Sequence, residues 1–94
     1  MLTMNCMYHC KPGKREEFYK KLLELGVREN SIHEEGNVRY DYYFDAQDPD
    51  LLLLVETWTE PRFQELHCQT AVFAALMAAK PEFVEKTESD DFHW

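Results

Sequence analysis

The sequence predicts a single α+β domain over residues 1–94, with its elements in the order β-α-β-β-α-β. Three observations lead to this prediction. Apolar and aromatic runs of strand length alternate with two longer segments of helical period. Turn signals containing proline or glycine separate them. Split β-α-β units in this order form a four-stranded antiparallel sheet with two helices on one face.

The first half supplies one strand and one helix. Leu2–Cys10 is rich in apolar residues and stops at Lys11-Pro12-Gly13, so we predict a strand. Residues from Lys14 to about Ile32 have a helical period, although Gly26 weakens the middle of that helix. Gly36 is a residue of the type that commonly ends a helix, so we expect the helix to end before it.

The next segments predict a hairpin. Asn37–Asp45 is β-branched and aromatic, which favours a second strand. Asp48-Pro49-Asp50 is a turn signal of hairpin length, and Leu51–Trp58 is a third strand that is apolar on both faces.

The remaining third of the chain predicts a helix and a short strand. Thr59 offers an N-cap oxygen, and Pro61 falls in the first helical turn, where its missing N–H is harmless. The helix runs to Lys80-Pro81 with a regular stripe of side chains, namely Phe63, Leu66, Thr70, Phe73 and Met77. Glu82 to about Glu88 supplies a fourth strand, and residues 89–94 are expected to form a tail or a clasp on a partner subunit.

Composition limits the class of function. The net charge of −8 and the pI near 4.9 would repel polyanions, so neither nucleic acid nor an anionic membrane is an expected partner. The three cysteines lack framework spacing, the N-terminus lacks the features of a signal peptide, and no apolar run is long enough to span a bilayer. We therefore expect a cytoplasmic protein.

The third strand predicts two different surfaces. Strand parity places Leu52, Leu54, Glu56 and Trp58 on the helix side. The opposite side carries Leu51, Leu53 and Val55, and a bare apolar face of this kind indicates a homodimer that pairs sheet to sheet.

A candidate site follows from the same parity. Glu56 and Trp58 face the helices, and His67 lies in the inward stripe of the second predicted helix. An imidazole titrates near neutrality, and a neighbouring carboxylate makes it a stronger base. These three side chains could therefore bind and deprotonate a small aromatic molecule. His67 and Trp58 could also be ordinary core residues, whereas an inward carboxylate such as Glu56 is costly unless it is paired or hydrogen-bonded.

The tyrosines of the second strand and the histidine and cysteine residues are further candidates for a site. Tyr40 and Tyr42 share one strand face, where a phenol could orient a substrate or simply pack. A metal site is not expected, because Cys6 and His9 point to opposite faces of an extended strand and no zinc-type spacing occurs. No phosphate-binding or dinucleotide fingerprint is present either.

Four segments of the chain form a recognisable series. They are Lys11-Pro12-Gly13-Lys14 followed by Arg15-Glu16-Glu17-Phe18, Glu34-Glu35-Gly36-Asn37 with Tyr40-Asp41, Glu56-x-Trp58, and His67-x-x-Thr70-x-x-Phe73. In these segments the chain resembles the antibiotic biosynthesis monooxygenase family. They cover nearly the whole chain in the order and spacing of the family.

The resemblance implies a ferredoxin-like protomer in a dimeric α/β barrel, with a pocket between sheet and helices. Family enzymes oxygenate phenols and quinols with O₂ and without flavin, haem or metal. It implies that His67 is the base and Glu56 its orienting partner or a second proton acceptor. The pocket walls would be Trp58, Tyr40, Tyr42, Cys6, Tyr8, Thr70 and Phe73.

The chain differs from some members of this family, and the family allows functions other than oxygenation. Haem-degrading relatives use an Asn on the first strand, where this chain has Cys6, and the neighbouring Asn5 faces the other way, so haem breakdown is not expected. The family also contains isomerases, which would use the same base without oxygen. A non-catalytic dimer that binds a small molecule is the third reading.

Overall fold

The computed structural model describes residues 1–94 and consists of one four-stranded antiparallel sheet with the helices packed on one face. The strands are β1 (Leu2–Cys10), β2 (Asn37–Phe44), β3 (Leu51–Trp58) and β4 (Val84–His93), in the order β2-β3-β1-β4. The helices are α1 (Arg15–Leu25), α2 (Val27–Ser31), α3 (Pro61–His67) and α4 (Ala71–Ala79), followed by a 3₁₀ turn at Lys80–Glu82. The predicted fold class is confirmed. None of the helices combines the length and the apolar character needed to cross a bilayer.

Each predicted helix is divided in two. Gly26 takes a left-handed conformation with φ of +68°, which ends α1 and begins α2 where the sequence predicted one continuous helix. The second break follows His67, and Thr70 then caps α4 by accepting a hydrogen bond from the N–H of Phe73 at 3.2 Å. Thr59 is not the N-cap of α3; Glu60 holds that position without a side-chain bond, and Pro61 begins the helix as predicted.

The break after His67 also changes the predicted stripe. Phe63 and His67 are buried, whereas Leu66 and Met77 are 54% and 44% exposed. A single straight helix would have aligned all five stripe residues. Leu66 instead lies outside the face that Phe63 and His67 share on α3, and Met77 belongs to a separate helix, α4.

Strand β4 is longer than the sequence indicated. It runs to His93 and pairs with β1 along its length, so that His93 lies opposite Leu2. Residues 89–93 are therefore strand rather than tail. At the end, the Trp94 N–H donates to the carbonyl of Met1 at 2.8 Å, and the Trp94 indole donates to the Thr3 hydroxyl at 3.0 Å.

The hydrophobic core lies between the sheet and the helices. On β3 the helix-facing residues Leu52, Leu54 and Trp58 are all buried, as strand parity predicted. Around them pack Tyr8, Cys10, Phe18, Leu22, Val27, Tyr40, Phe63, Leu76 and Val84. The other face of β3 is not bare everywhere, because Val55 and Thr57 are buried while Leu51 and Leu53 are half-buried.

Candidate active site

His67 is the last residue of α3 and is only 2% exposed. Phe63 lies one turn earlier and is also buried, so this short helix turns one face toward the sheet. Three aromatic rings surround the imidazole, with centroids at 5.1 Å for Trp58, 5.4 Å for Tyr40 and 5.4 Å for Phe73. The imidazole therefore sits in a dry aromatic environment rather than on the surface.

The carboxylate that holds His67 belongs to Glu34. Its Oε1 and Oε2 lie 2.9 and 3.2 Å from Nδ1 of the imidazole. A carboxylate at Nδ1 requires that nitrogen to carry the proton, so the neutral ring has its free lone pair on Nε2. Glu34 thus sets the tautomer and the orientation of His67 and offsets the charge of an imidazolium.

Glu34 is carried by the turn between α2 and β2, and a close backbone contact fixes that turn. The Gly36 carbonyl accepts a hydrogen bond from the Thr59 N–H at 2.8 Å. Gly36 has φ of +79°, and a Cβ on it would lie 2.2 Å from the Phe63 ring. The turn that supplies Glu34 is therefore attached to both the end of β3 and the helix that carries His67.

Sequence reasoning missed Glu34 as a site residue. It read Glu34–Asn37 only as the end of a helix and as a segment of the family resemblance. The available signal was an acidic residue next to a glycine turn, since such a turn can bring a carboxylate back against a distant helix.

Glu56 does not have the orienting role that the sequence suggested. Its Oε1 accepts a hydrogen bond from the Trp58 indole N–H at 2.9 Å, and no hydrogen bond joins it to His67. Burial raises the pKa of Glu56, while the Trp58 N–H and the nearby His67 oppose the rise. Glu56 is thus a second, separate titratable group in the same layer.

The other imidazole nitrogen faces a phenol. Tyr40 Oη lies 3.5 Å from Nε2 of His67, at the limit of a hydrogen bond. Burial of Tyr40, which is 1% exposed, raises the pKa of its phenol well above its ordinary value. Tyr40 is therefore a neutral hydroxyl that can donate to Nε2.

A cavity of about 250 Å³ opens beside this cluster. Among the site residues predicted from sequence, those that line it are Cys6, Tyr8, Tyr40, Glu56, His67 and Phe73. The remaining lining residues are Met4, Gln64, Met77, Lys80, Thr87, Glu88 and Ser89. A cavity of this size accommodates a molecule with one or two rings.

Three predicted wall residues lie outside the cavity lining. Trp58 contacts two residues of the cavity lining: it donates a hydrogen bond to Glu56 and packs against the His67 ring. Thr70 caps α4 and donates its hydroxyl proton to the His67 carbonyl at 2.8 Å. Tyr42 lines a larger groove of about 480 Å³ between α1, α2 and β2, whose charged residues are Arg28, Glu29 and Asp41. That groove contains no histidine or cysteine, so we place the chemistry in the smaller cavity.

The first strand contributes two neutral groups to the cavity. Burial raises the pKa of the Cys6 thiol to about 11, and burial likewise raises the pKa of the Tyr8 phenol. Both are therefore protonated at neutral pH, and Cys6 is a poor nucleophile there.

The histidine and cysteine side chains do not form a metal-binding cluster. No group of three or more His, Cys, Asp or Glu side chains has a metal-binding arrangement. His9 is on the far side of the sheet from the cavity residue Cys6, and its Nε2 lies 2.7 Å from Glu88 Oε1.

A family model described as "Antibiotic biosynthesis monooxygenase" matches residues 1–79. The chain is also 29% identical over 84 residues to a Bacillus subtilis (strain 168) protein named "Putative monooxygenase YcnE". That match covers 89% of this chain and 86% of the relative.

Solved structures agree with the fold. A Nitrosomonas europaea protein described as "Putative antibiotic biosynthesis monooxygenase" has a TM-score of 0.88 at 24% identity, covering 100% of this chain and 98% of the other. A conserved protein from Methanosarcina mazei Go1 has a TM-score of 0.87 at 22% identity, covering 98% of this chain and 90% of its own. These likenesses show the ferredoxin-like architecture.

Proposed function

The chain belongs to the antibiotic biosynthesis monooxygenase family, and from this premise we propose that it oxidises a small quinol or polyphenol with O₂ in the cavity beside His67. The observation that supports the proposal best is the pair formed by Glu34 and His67. It gives a buried imidazole a fixed tautomer, and the lone pair on Nε2, which only the Tyr40 hydroxyl faces at 3.5 Å, can act as the base.

In the proposed reaction, Nε2 of His67 accepts the proton of a substrate hydroxyl. Glu34 stabilises the imidazolium that forms, and the aromatic rings around it exclude water. The electron-rich phenolate then passes electrons to O₂. A general base must lie within hydrogen-bond reach of the proton it removes, and His67 lines the cavity that would hold the substrate.

The atoms and electrons of the proposed reaction balance without another reactant. Hydroquinone and O₂ give hydroxybenzoquinone and water, so one oxygen atom forms a new C–O bond and the other leaves as water. The substrate supplies all four electrons that reduce O₂. The proposal therefore needs O₂ as co-substrate and requires no flavin, haem or metal.

Oxygen uptake by the purified protein with a panel of hydroquinones tests this function. We expect uptake with at least one member of the panel and incorporation of one ¹⁸O atom from ¹⁸O₂ into the product. His67→Ala should lower the rate at least about tenfold, since a positioned general base contributes a factor of about 100 or more. His33→Ala, at an exposed histidine before Glu34, is the matched control and should keep the wild-type rate.

The same experiment separates the alternatives. Full activity of His67→Ala would show that another group is the base. Turnover under strict anaerobiosis, without peroxide, would indicate an isomerase that uses the same base. Thermal stabilisation by phenols with no product detected by mass spectrometry would indicate a binding protein.

We also propose that two copies pair through the outer sheet face. The support is that Leu51 and Leu53 on the central strand β3 are only half-buried in one chain, while Phe92 at the end of β4 is 51% exposed. Sedimentation velocity at micromolar concentration should give a mass of twice the 11.2 kDa chain. A species of 11.2 kDa under these conditions would contradict the proposal.

A further inference from the structure

Lys80 contributes a positive charge to the lining of the cavity that contains His67. It follows directly after α4, begins the 3₁₀ turn, and is half-buried. Its Nζ lies 5.8 Å from the centroid of the Tyr8 ring, which is a wall of the same cavity. The ammonium group is therefore located at the Tyr8 end of the cavity.

This ammonium group has no carboxylate within salt-bridge distance. Six other cations of the chain lie within 4.0 Å of an acidic side chain, namely Lys14, Lys21, Arg28, Arg39, Arg62 and Lys86. The chain has a net charge of −8, so acidic partners are abundant, and yet this cation at the cavity has none. It can attract an anionic group of a ligand.

The acidic residues of the cavity have other partners. Glu88 Oε1 lies 2.7 Å from His9 Nε2 and 3.6 Å from Lys86 Nζ. Glu56 accepts the hydrogen bond of Trp58. Neither carboxylate neutralises Lys80.

A hydroxyl group lies at the same end of the cavity. Thr87 is the cross-strand partner of Tyr8, lines the cavity, and is exposed, so its hydroxyl is available to a ligand. Ser89 is the next cavity residue on β4, but its hydroxyl already donates to Asp91 at 3.1 Å. One cation and one free hydroxyl are suited to a singly charged carboxylate, whereas a doubly charged phosphate would call for more positive charge.

The strand register places the neighbours of Glu56 and of Lys80 at different positions along the cavity. Glu56 pairs with Met4 on β1 and with Tyr40 on β2, whereas Lys80 lies over Tyr8. Met4 and Tyr8 are four residues apart on the same strand, which at about 3.3 Å per residue gives roughly 13 Å. This spacing of the two backbone positions exceeds the length of one aromatic ring, and the flexible Lys80 side chain shortens the span between the groups themselves.

We propose that Lys80 determines substrate specificity by binding a carboxylate, and that the substrate is a quinol or polyphenol with an acidic side chain a few atoms long. The inference rests on the proposed function for the identity of the ring. The phenolic end lies against His67, and the acidic end reaches the ammonium of Lys80 at the Tyr8 end of the cavity.

Binding of two probes that differ only in charge tests this inference. The probes are 3-(2,5-dihydroxyphenyl)propanoate and its amide, titrated by calorimetry without oxygen so that no turnover occurs. The wild-type protein should bind the acid about tenfold more tightly than the amide, as expected for one charge-assisted contact at a partly exposed site. This preference should weaken as ionic strength rises.

Variants assign the preference to Lys80. Lys80→Met should remove the preference for the acid while the amide binds within twofold of wild type, which also shows that the variant is folded. Lys80→Arg should keep the preference. Lys20→Met, which removes an exposed lysine outside the cavity and without an ion pair, is the matched control and should bind like wild type.

The possible outcomes separate the two proposals. Equal binding of acid and amide by the wild type, or an undiminished preference in Lys80→Met, would overturn the role of Lys80. Oxygen uptake with neutral quinols would still support the monooxygenase in that case. Conversely, a Lys80-dependent preference without any oxygen uptake would support the carboxylate site and contradict the proposed oxidation.

Discussion

Glu34 Oε1 and His67 Nδ1 lie 2.9 Å apart although 33 residues separate them in the chain. The contact joins the turn after α2 to the end of α3, and it converts a buried imidazole into an oriented one. Glu56 does not take part in this contact, because its carboxylate accepts a hydrogen bond from the Trp58 indole instead.

Replacing Glu34 with Gln should lower kcat at least about tenfold while leaving the fold intact. The amide can still accept the Nδ1–H, but it no longer offsets the charge of the imidazolium. Steady-state oxygen uptake and thermal unfolding would measure the two effects. Glu35→Gln, one residue away and exposed, is the control. A wild-type kcat in Glu34→Gln would show that the carboxylate is not needed.

Glu56 should make the stability of the protein depend on pH. Its folded pKa is raised by burial, so between the unfolded pKa, about 4.3, and the folded pKa the native state holds more protons than the unfolded state. The free energy of unfolding therefore falls as pH rises through this window.

Glu56→Gln removes that titration and keeps an acceptor for the Trp58 N–H. We expect the variant to unfold at a higher temperature than wild type at pH 7–8, with the difference shrinking toward pH 4. Glu60→Gln, at an exposed glutamate, should show no such trend. A difference between Glu56→Gln and wild type that is independent of pH would contradict the assignment.

The glycine at position 36 should be far less replaceable than the one at position 13. Both have positive φ, so an alanine costs about 1–2 kcal/mol of backbone strain at either site. At Gly36 the new Cβ would also meet the Phe63 ring at 2.2 Å, which adds about 1–3 kcal/mol, whereas nothing lies within 4 Å at Gly13. Urea unfolding of Gly36→Ala and Gly13→Ala would measure the difference, and equal losses would argue against this packing.

The outer sheet face can be tested with a charge. Leu53→Lys places an ammonium in the middle of the proposed subunit contact, where burial without a partner is costly. We expect a monomer by sedimentation velocity with the far-UV circular dichroism unchanged. Leu23→Lys, on a helix and 56% exposed, should retain the wild-type mass.

Strand β3 shows how much of the fold could be predicted from the sequence. Its bounds and its inward face follow from an apolar run and a period of two, and both are confirmed. Strand β4 was underestimated because its last residues are polar and charged. They are stable as a strand because β1 supplies the hydrogen bonds, and charged side chains suit a sheet edge.

The candidate site was predicted only in part. Periodicity placed His67 on the inward side, and the structure confirms this position. Glu34 could not be found in the same way, because its contact depends on where a left-handed glycine turn returns the chain. Local patterns contain no information on such a long-range approach.

The attachment of the Gly36 turn to Thr59 and Phe63 separates two properties that an engineer would want to vary independently. The orientation of the base is set by this turn, which lies outside the cavity lining, while Met77, Lys80 and Thr87 line the cavity from the last third of the chain. Libraries confined to those three positions could therefore select new substrates without disturbing proton transfer, and libraries in the turn could do the reverse.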